Sequence, residues 1–134
     1  MTMNEGETML KKLFAILGSG CIVTVLLIGC GGGSSTGPNP VHMSGTKFAQ
    51  NSITIKKGES ITLINDDLFG SHTIANGTWE NGTAQPAREG GAPAINDVKI
   101  GGNSSASFGP FTSAGTFKLY CTVHIGMNLT VIVQ

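Results

Sequence analysis

Charge is scarce in this sequence and shows no bias: eight basic residues stand against eight acidic ones, and charged side chains make up 12% of the 134 residues. Nucleic-acid surfaces are built on a basic excess, so no nucleic-acid partner is expected. Beyond Cys30 the balance stays even, with Lys47, Lys56, Lys57, Arg88, Lys99 and Lys118 set against Glu59, Asp66, Asp67, Glu80, Glu89 and Asp97. A partner would be recognised by shape and apolar contact rather than drawn in by long-range attraction. Cysteine is equally sparse. Cys21 lies in an apolar run, Cys30 ends that run and Cys121 stands alone in the body of the chain, which excludes a disulfide framework. Any convincing amphipathic helical pattern is also missing.

What is present divides the chain into three parts. Lys11 and Lys12 precede an apolar stretch from Leu13 to Ile28, the pattern of a signal peptide over residues 1–29. Glu5 and Glu7 fit the start of such a signal poorly, which points to Met9 as an alternative start of translation. The run closes on Leu27-Ile28-Gly29-Cys30, which resembles the lipobox of bacterial lipoproteins and implies lipidation of Cys30. An uncleaved transmembrane helix competes, since the run is near the minimum spanning length. The lipoprotein reading is preferred because a glycine- and serine-rich tract follows at once. That tract completes a flexible linker over residues 30–40, with a root-mean-square reach of about 17–19 Å. The expectation is an exported domain, lipid-anchored to a membrane on the periplasmic or extracellular side.

Residues 41–134 carry the period-two alternation of half-buried strands. Ile53, Ile55, Ile61 and Leu63 alternate with polar residues across the turn Lys57-Gly58-Glu59. Further runs lie at residues 72–75, 97–100, 106–108, 116–120 and 128–133, separated by glycine, asparagine and proline. Seven or eight short strands of this kind predict an all-β fold, a two-sheet antiparallel Greek-key sandwich. Phe108, Phe111 and Phe117 are expected in its core. Residues 76–96, with Trp79, Pro86 and Pro93, show no strand-like run and read as a long loop.

The chemistry lies in Cys121-Thr122-Val123-His124-Ile125-Gly126-Met127, which places a thiolate, an imidazole and a thioether on one loop, with His72 about fifty residues upstream as a fourth donor. Two imidazoles, a thiolate and a weak thioether suit both oxidation states of copper, whereas zinc sites are more often built from cysteine and histidine alone. Each residue taken singly has a plainer role: a buried cysteine, a core methionine, surface histidines. The spacing of all four favours copper. It also gives the lone thiol of an exported domain an occupation. His42 is expected to be an exposed bystander.

These residues resemble the cupredoxins of the plastocyanin and amicyanin type, and the ligand-loop spacing is nearest to amicyanin. The stretch from Phe48 to Asp67, ending in Asn65-Asp66-Asp67 before the histidine, resembles that family's early strands, and Tyr120 matches plastocyanins. The resemblance implies one type 1 copper ion held by His72, Cys121, His124 and Met127, with the backbone N–H of Thr73 donating to the thiolate sulfur. It implies electron exit through His124, with Ile125, Gly126, Leu68 and Phe69 forming an apolar contact patch for weak, transient docking of redox proteins. Val123 replaces a proline common in the family. The expected protein is a monomeric, membrane-tethered electron shuttle and not an enzyme, since His42 alone is spare for a further copper site. Copper storage or delivery without electron-transfer partners is the alternative. Four Asn-x-Ser/Thr triplets, at Asn76, Asn81, Asn103 and Asn128, match glycosylation acceptors, but the lipoprotein signal argues against their use.

Cys30→Ser is predicted to release the domain from the membrane or to trap an unprocessed precursor, because no other apolar anchor remains after cleavage. Mass spectrometry of the mature amino terminus reads the outcome, and an unmodified Cys30 would contradict it.

Overall fold

The computed structural model describes residues 36–134. The expected signal sequence, Cys30 and the linker up to residue 35 lie outside the described residues. Ten strands and no helix make up the described part: β1 (Pro40–Ser44), β2 (Lys47–Phe48), β3 (Ser52–Ile55), β4 (Ile61–Asn65), β5 (Ser71–Glu80), β6 (Thr83–Pro86), β7 (Val98–Gly101), β8 (Ser105–Phe108), β9 (Gly115–Cys121) and β10 (Asn128–Val133). One sheet runs β2-β1-β4-β8, the other β3-β10-β9-β5-β6 with β7 also pairing β5.

The sandwich follows from alternation. In β10 the residues Leu129, Val131 and Val133 are buried while those between them are half-buried, and in β1 Val41 and Met43 point inward between exposed neighbours. Those inward faces meet Ile61, Leu63, Ile74, Ile100, Phe117 and Leu119 in one core. Phe108, Phe111 and Phe117 all join it, as the sequence suggested.

Two details differ from the expectation of a purely antiparallel arrangement of seven or eight strands. β1 pairs β4 in parallel and β3 pairs β10 in parallel, because parallel neighbours require a crossover connection and the chain supplies it by changing sheets between β2, β3 and β4. The strand count is higher because β1, the two-residue β2 and β6 lie outside the runs read from the sequence.

A further difference concerns residues 76–96, read as a loop without strands. β5 continues to Glu80 and turns back through Asn81 and Gly82 into β6, with Glu80 paired to Thr83. Both turn residues have positive φ, 50° and 77°, the conformation that favours Asn-Gly in a two-residue hairpin. The rest of the segment is irregular but fastened: Asn76 accepts a hydrogen bond from Ile95 N through its side-chain oxygen (2.7 Å) and donates its own N–H to Ile95 O (3.1 Å). The end of the expected linker is also tied down. Asn39 Nδ2 donates to Ser60 O at 2.9 Å and to Glu59 Oε2 at 3.2 Å.

Gly77 marks where β5 changes course. Its φ is 130°, and a Cβ there would collide with the Gln85 carbonyl. Gly77→Ala is therefore predicted to destabilise the domain by more than the about 1–2 kcal/mol that left-handed backbone alone costs, measured by urea denaturation. Gly45→Ala, at φ 61° with open space around it, is the comparison, and an equal loss in both variants would refute the role of close approach.

Candidate metal centre

Three of the four expected donors converge at one end of the sandwich. His72 is the second residue of β5 and is buried, 1% exposed; Cys121 ends β9 and is fully buried. The register of β5 against β9 sets Ile74 opposite Cys121, so the histidine and the cysteine occupy neighbouring strands at the same end. His124 and Met127 lie on the connection between β9 and β10. Cys121 N donates to Met127 O at 3.0 Å and Met127 N to His124 O at 3.1 Å, which closes the connection into a compact loop and buries Met127, 2% exposed.

The donor atoms face one another. Cys121 Sγ lies 3.4 Å from His124 Nδ1, and His124 Nδ1 lies 3.2 Å from His72 Nδ1. The imidazoles meet edge to face, with centroids 4.9 Å apart. Turned Nδ1 to Nδ1, the two rings can present both lone pairs to a shared cation when each carries its proton on Nε2. The ligand atoms of His72, Cys121 and His124 all lie within 4.8 Å of one another, and the 3.2 Å and 3.4 Å separations about His124 Nδ1 are ones that an ion at metal–nitrogen distances of about 2.0–2.1 Å can bridge. Burial pushes the His72 imidazolium below the usual histidine range, and the neighbouring His124 pushes the same way, against an opposing pull from Asp67. The neutral, metal-binding form is thus favoured.

Asp67 is a participant that sequence reasoning placed only within a family pattern. Its carboxylate lies 3.9 Å from His72 Nε2, on the ring edge away from the other donors. Ser44 Oγ (3.0 Å) and Gly45 N (2.8 Å) donate to that carboxylate, and Asp67 N donates to Asn65 Oδ1 at 3.1 Å. Buried Asn65 also donates to Gly101 O at 3.0 Å, linking the two sheets beside the site. His42 is exposed as expected, yet its Nδ1 meets Asp66 Oδ2 at 2.8 Å. Thr73 follows His72 on β5, and its carbonyl accepts from Thr122 N at 2.8 Å.

At the surface above the donors His124 is half-buried, and Val123 (58% exposed) and Ile125 (71%) flank it. Leu68 and Phe69 are also exposed, on the loop that runs from Asp67 to His72. Val123 joins the apolar group foreseen from Ile125, Gly126, Leu68 and Phe69.

The sequence profile of the copper binding proteins, plastocyanin/azurin family, matches residues 39–134. The chain belongs to this family. Its cofactor is copper, and a thiolate and two imidazoles with a buried methionine on the same loop fit that ion. Among solved structures, amicyanin from Paracoccus versutus (Thiobacillus versutus) superposes with a TM-score of 0.54 at 22% identity, covering 72% of this chain and 80% of that one. An oxidised proline-to-glycine variant of amicyanin reaches 0.56 at 21% identity, over 77% and 88%. At these identities the likeness speaks for the fold. No curated protein sequence matches the chain.

A carboxylate behind a ligating imidazole raises the ring's basicity and favours the more positive metal state. Asp67→Asn is predicted to raise the reduction potential modestly, because the half-buried carboxylate is partly screened. Protein-film voltammetry at one pH tests it, and an unchanged or lowered potential would contradict the role.

Proposed function

We propose that this cupredoxin carries single electrons between redox proteins while tethered to a membrane through Cys30. The observation that carries the reading is a buried donor set with one edge at the surface: His72 and Cys121 are sealed, while His124 reaches an apolar rim. Copper bound there supplies reversible exchange between Cu(II) and Cu(I).

The chain's own residues make that exchange easy. Strand register and the loop's backbone hydrogen bonds hold His72 Nδ1, His124 Nδ1 and Cys121 Sγ together, so little would have to move between the preferences of the two oxidation states. The hydrogen bonds at the base of the loop hold Cys121 and Met127 in fixed register. Met127 would be the weak fourth donor to that ion, and the Thr73 N–H would donate to the thiolate and lower its electron density. Val123, Ile125, Leu68 and Phe69 leave the exit at His124 ringed by uncharged surface, suited to a transient interface of less than about 1,200 Å². A monomer leaves that surface free. We assign the protein to electron transport and not to catalysis, with the sealed donors excluding substrate. Lipidation of Cys30, supported by the apolar run and Gly29-Cys30, would hold the domain on the periplasmic or extracellular face of a membrane.

The purified domain with one equivalent of Cu(II) should develop an intense thiolate-to-copper band in the visible, abolished by Cys121→Ser. Fast electron self-exchange would separate a carrier from a copper-delivery protein, which would instead give up its ion readily to a competing apo-protein. Met127→Gln should lower the reduction potential and Met127→Leu raise it, with the blue colour kept in both. Shifts of the same sign in the two variants would remove Met127 from the donor set.

A further inference from the structure

The β5–β6 hairpin lies across the root of the copper loop. Asn76 is opposite Leu119 on β9, yet Trp79, three residues on, bonds to Asn128 on β10. The chain therefore crosses β9 after Gly77 instead of running along it. Trp79 then engages both residues that bound the loop. Its indole Nε1 donates to Cys121 O at 2.8 Å. Its backbone is gripped by the Asn128 side chain, Trp79 N donating to Asn128 Oδ1 at 2.7 Å and Asn128 Nδ2 donating to Trp79 O at 3.0 Å. The Asn128 amide thus stands in for the peptide unit of a neighbouring strand. The indole also meets the Tyr120 ring edge to face, with centroids 5.9 Å apart.

These contacts are not needed to complete the sandwich. β9 and β10 already pair from Gly115 to Tyr120 and from Asn128 to Val133, and the core contains neither Trp79 nor Asn128. What they add is a bracket. One side chain and one backbone unit of the same residue fix the position of Cys121 relative to Asn128, and so the width of the loop that carries Cys121, His124 and Met127.

We propose that Trp79, held by Asn128, is a positioning residue for the copper site: it fixes the root of the ligand loop in the metal-free protein and thereby sets how tightly and at what potential copper is held. The inference rests on reading this loop as the copper-binding loop. A carbonyl left without its donor at Cys121 would turn toward solvent or toward another donor, carrying the attached Cα and Sγ with it. The indole N–H also aims the positive end of its dipole at the thiolate residue, which favours Cu(I). Its removal should loosen the loop and lower the potential together.

The test compares wild type with Trp79→Phe, which keeps an aromatic ring against Tyr120 and deletes the donor, and with Asn128→Ala. In the copper-free domain, hydrogen exchange at the Cys121 and Thr122 amides should accelerate in both variants. Loss of copper to a chelator should quicken about fivefold, the factor corresponding to one net hydrogen bond, and the reduction potential should fall. The two substitutions should be non-additive, since each releases the same bracket. Lower thermal stability with unchanged exchange at those amides, an unchanged potential and unchanged copper release would overturn the proposal and leave Trp79 as scaffolding. A wild-type domain that formed no blue complex would instead refute the copper assignment of the loop, while the exchange data on the copper-free protein would still decide whether Trp79 holds it.

Discussion

The hydrogen bond from Cys121 N to Met127 O fixes more of this molecule than its single bond suggests. It decides that β9 and β10 end in register, so that the last residue of one strand and the residue just before the next face each other across a short loop. With that loop closed, His124 can project only near the strand ends, and the pairing of β5 with β9 brings His72 to meet it. Core packing then seals the donors from one side, since Ile74, Leu119 and Leu129 lie among the buried residues of the same strands. Neutral ring nitrogens and a sulfur in such surroundings are poor company for one another and good company for a soft cation. Sheet geometry and metal chemistry are thus two descriptions of one constraint.

The two sides of the donor cluster divide the labour. Asp67, held by Ser44 and Gly45, lies behind the His72 ring, while Asp66 pairs with His42. The loop tips in front of His124 are apolar and uncovered. A carboxylate placed among those tips would compete with the copper for a partner's approach; placed behind the imidazole it tunes the ligand without obstructing the exit.

Much of this was legible from residues alone, because a spaced donor set and a period-two pattern each report on chemistry that local sequence determines. The donors and the core phenylalanines are of this kind. The parallel pairings were not legible, since alternation says which face a residue takes and nothing about which strand lies beside it. The β5–β6 hairpin was missed for a different reason. Trp79, Ala84 and Gln85 do not alternate in hydrophobicity, because β6 is largely exposed and buries neither face in the core. Asn81-Gly82 was the signal available, and it is a strong one for a two-residue turn. Asp67 behind His72, and Trp79 against Cys121, depend on tertiary placement that no spacing encodes.

His72 and His124 are 52 residues apart in the chain, one on β5 and the other on the connection after β9, two strands that become neighbours only when the second sheet is assembled. An extended chain therefore has no place for the ion: the fragment Cys121 to Met127 can offer donors, but the sealed geometry arises at the end of folding. Under the export proposed above the chain would be threaded through a membrane before it folds, and this would be a safeguard of timing. Metallation would then be deferred to the compartment in which the sheets close, and which ions that compartment holds would become as decisive for the finished cofactor as the donor set itself.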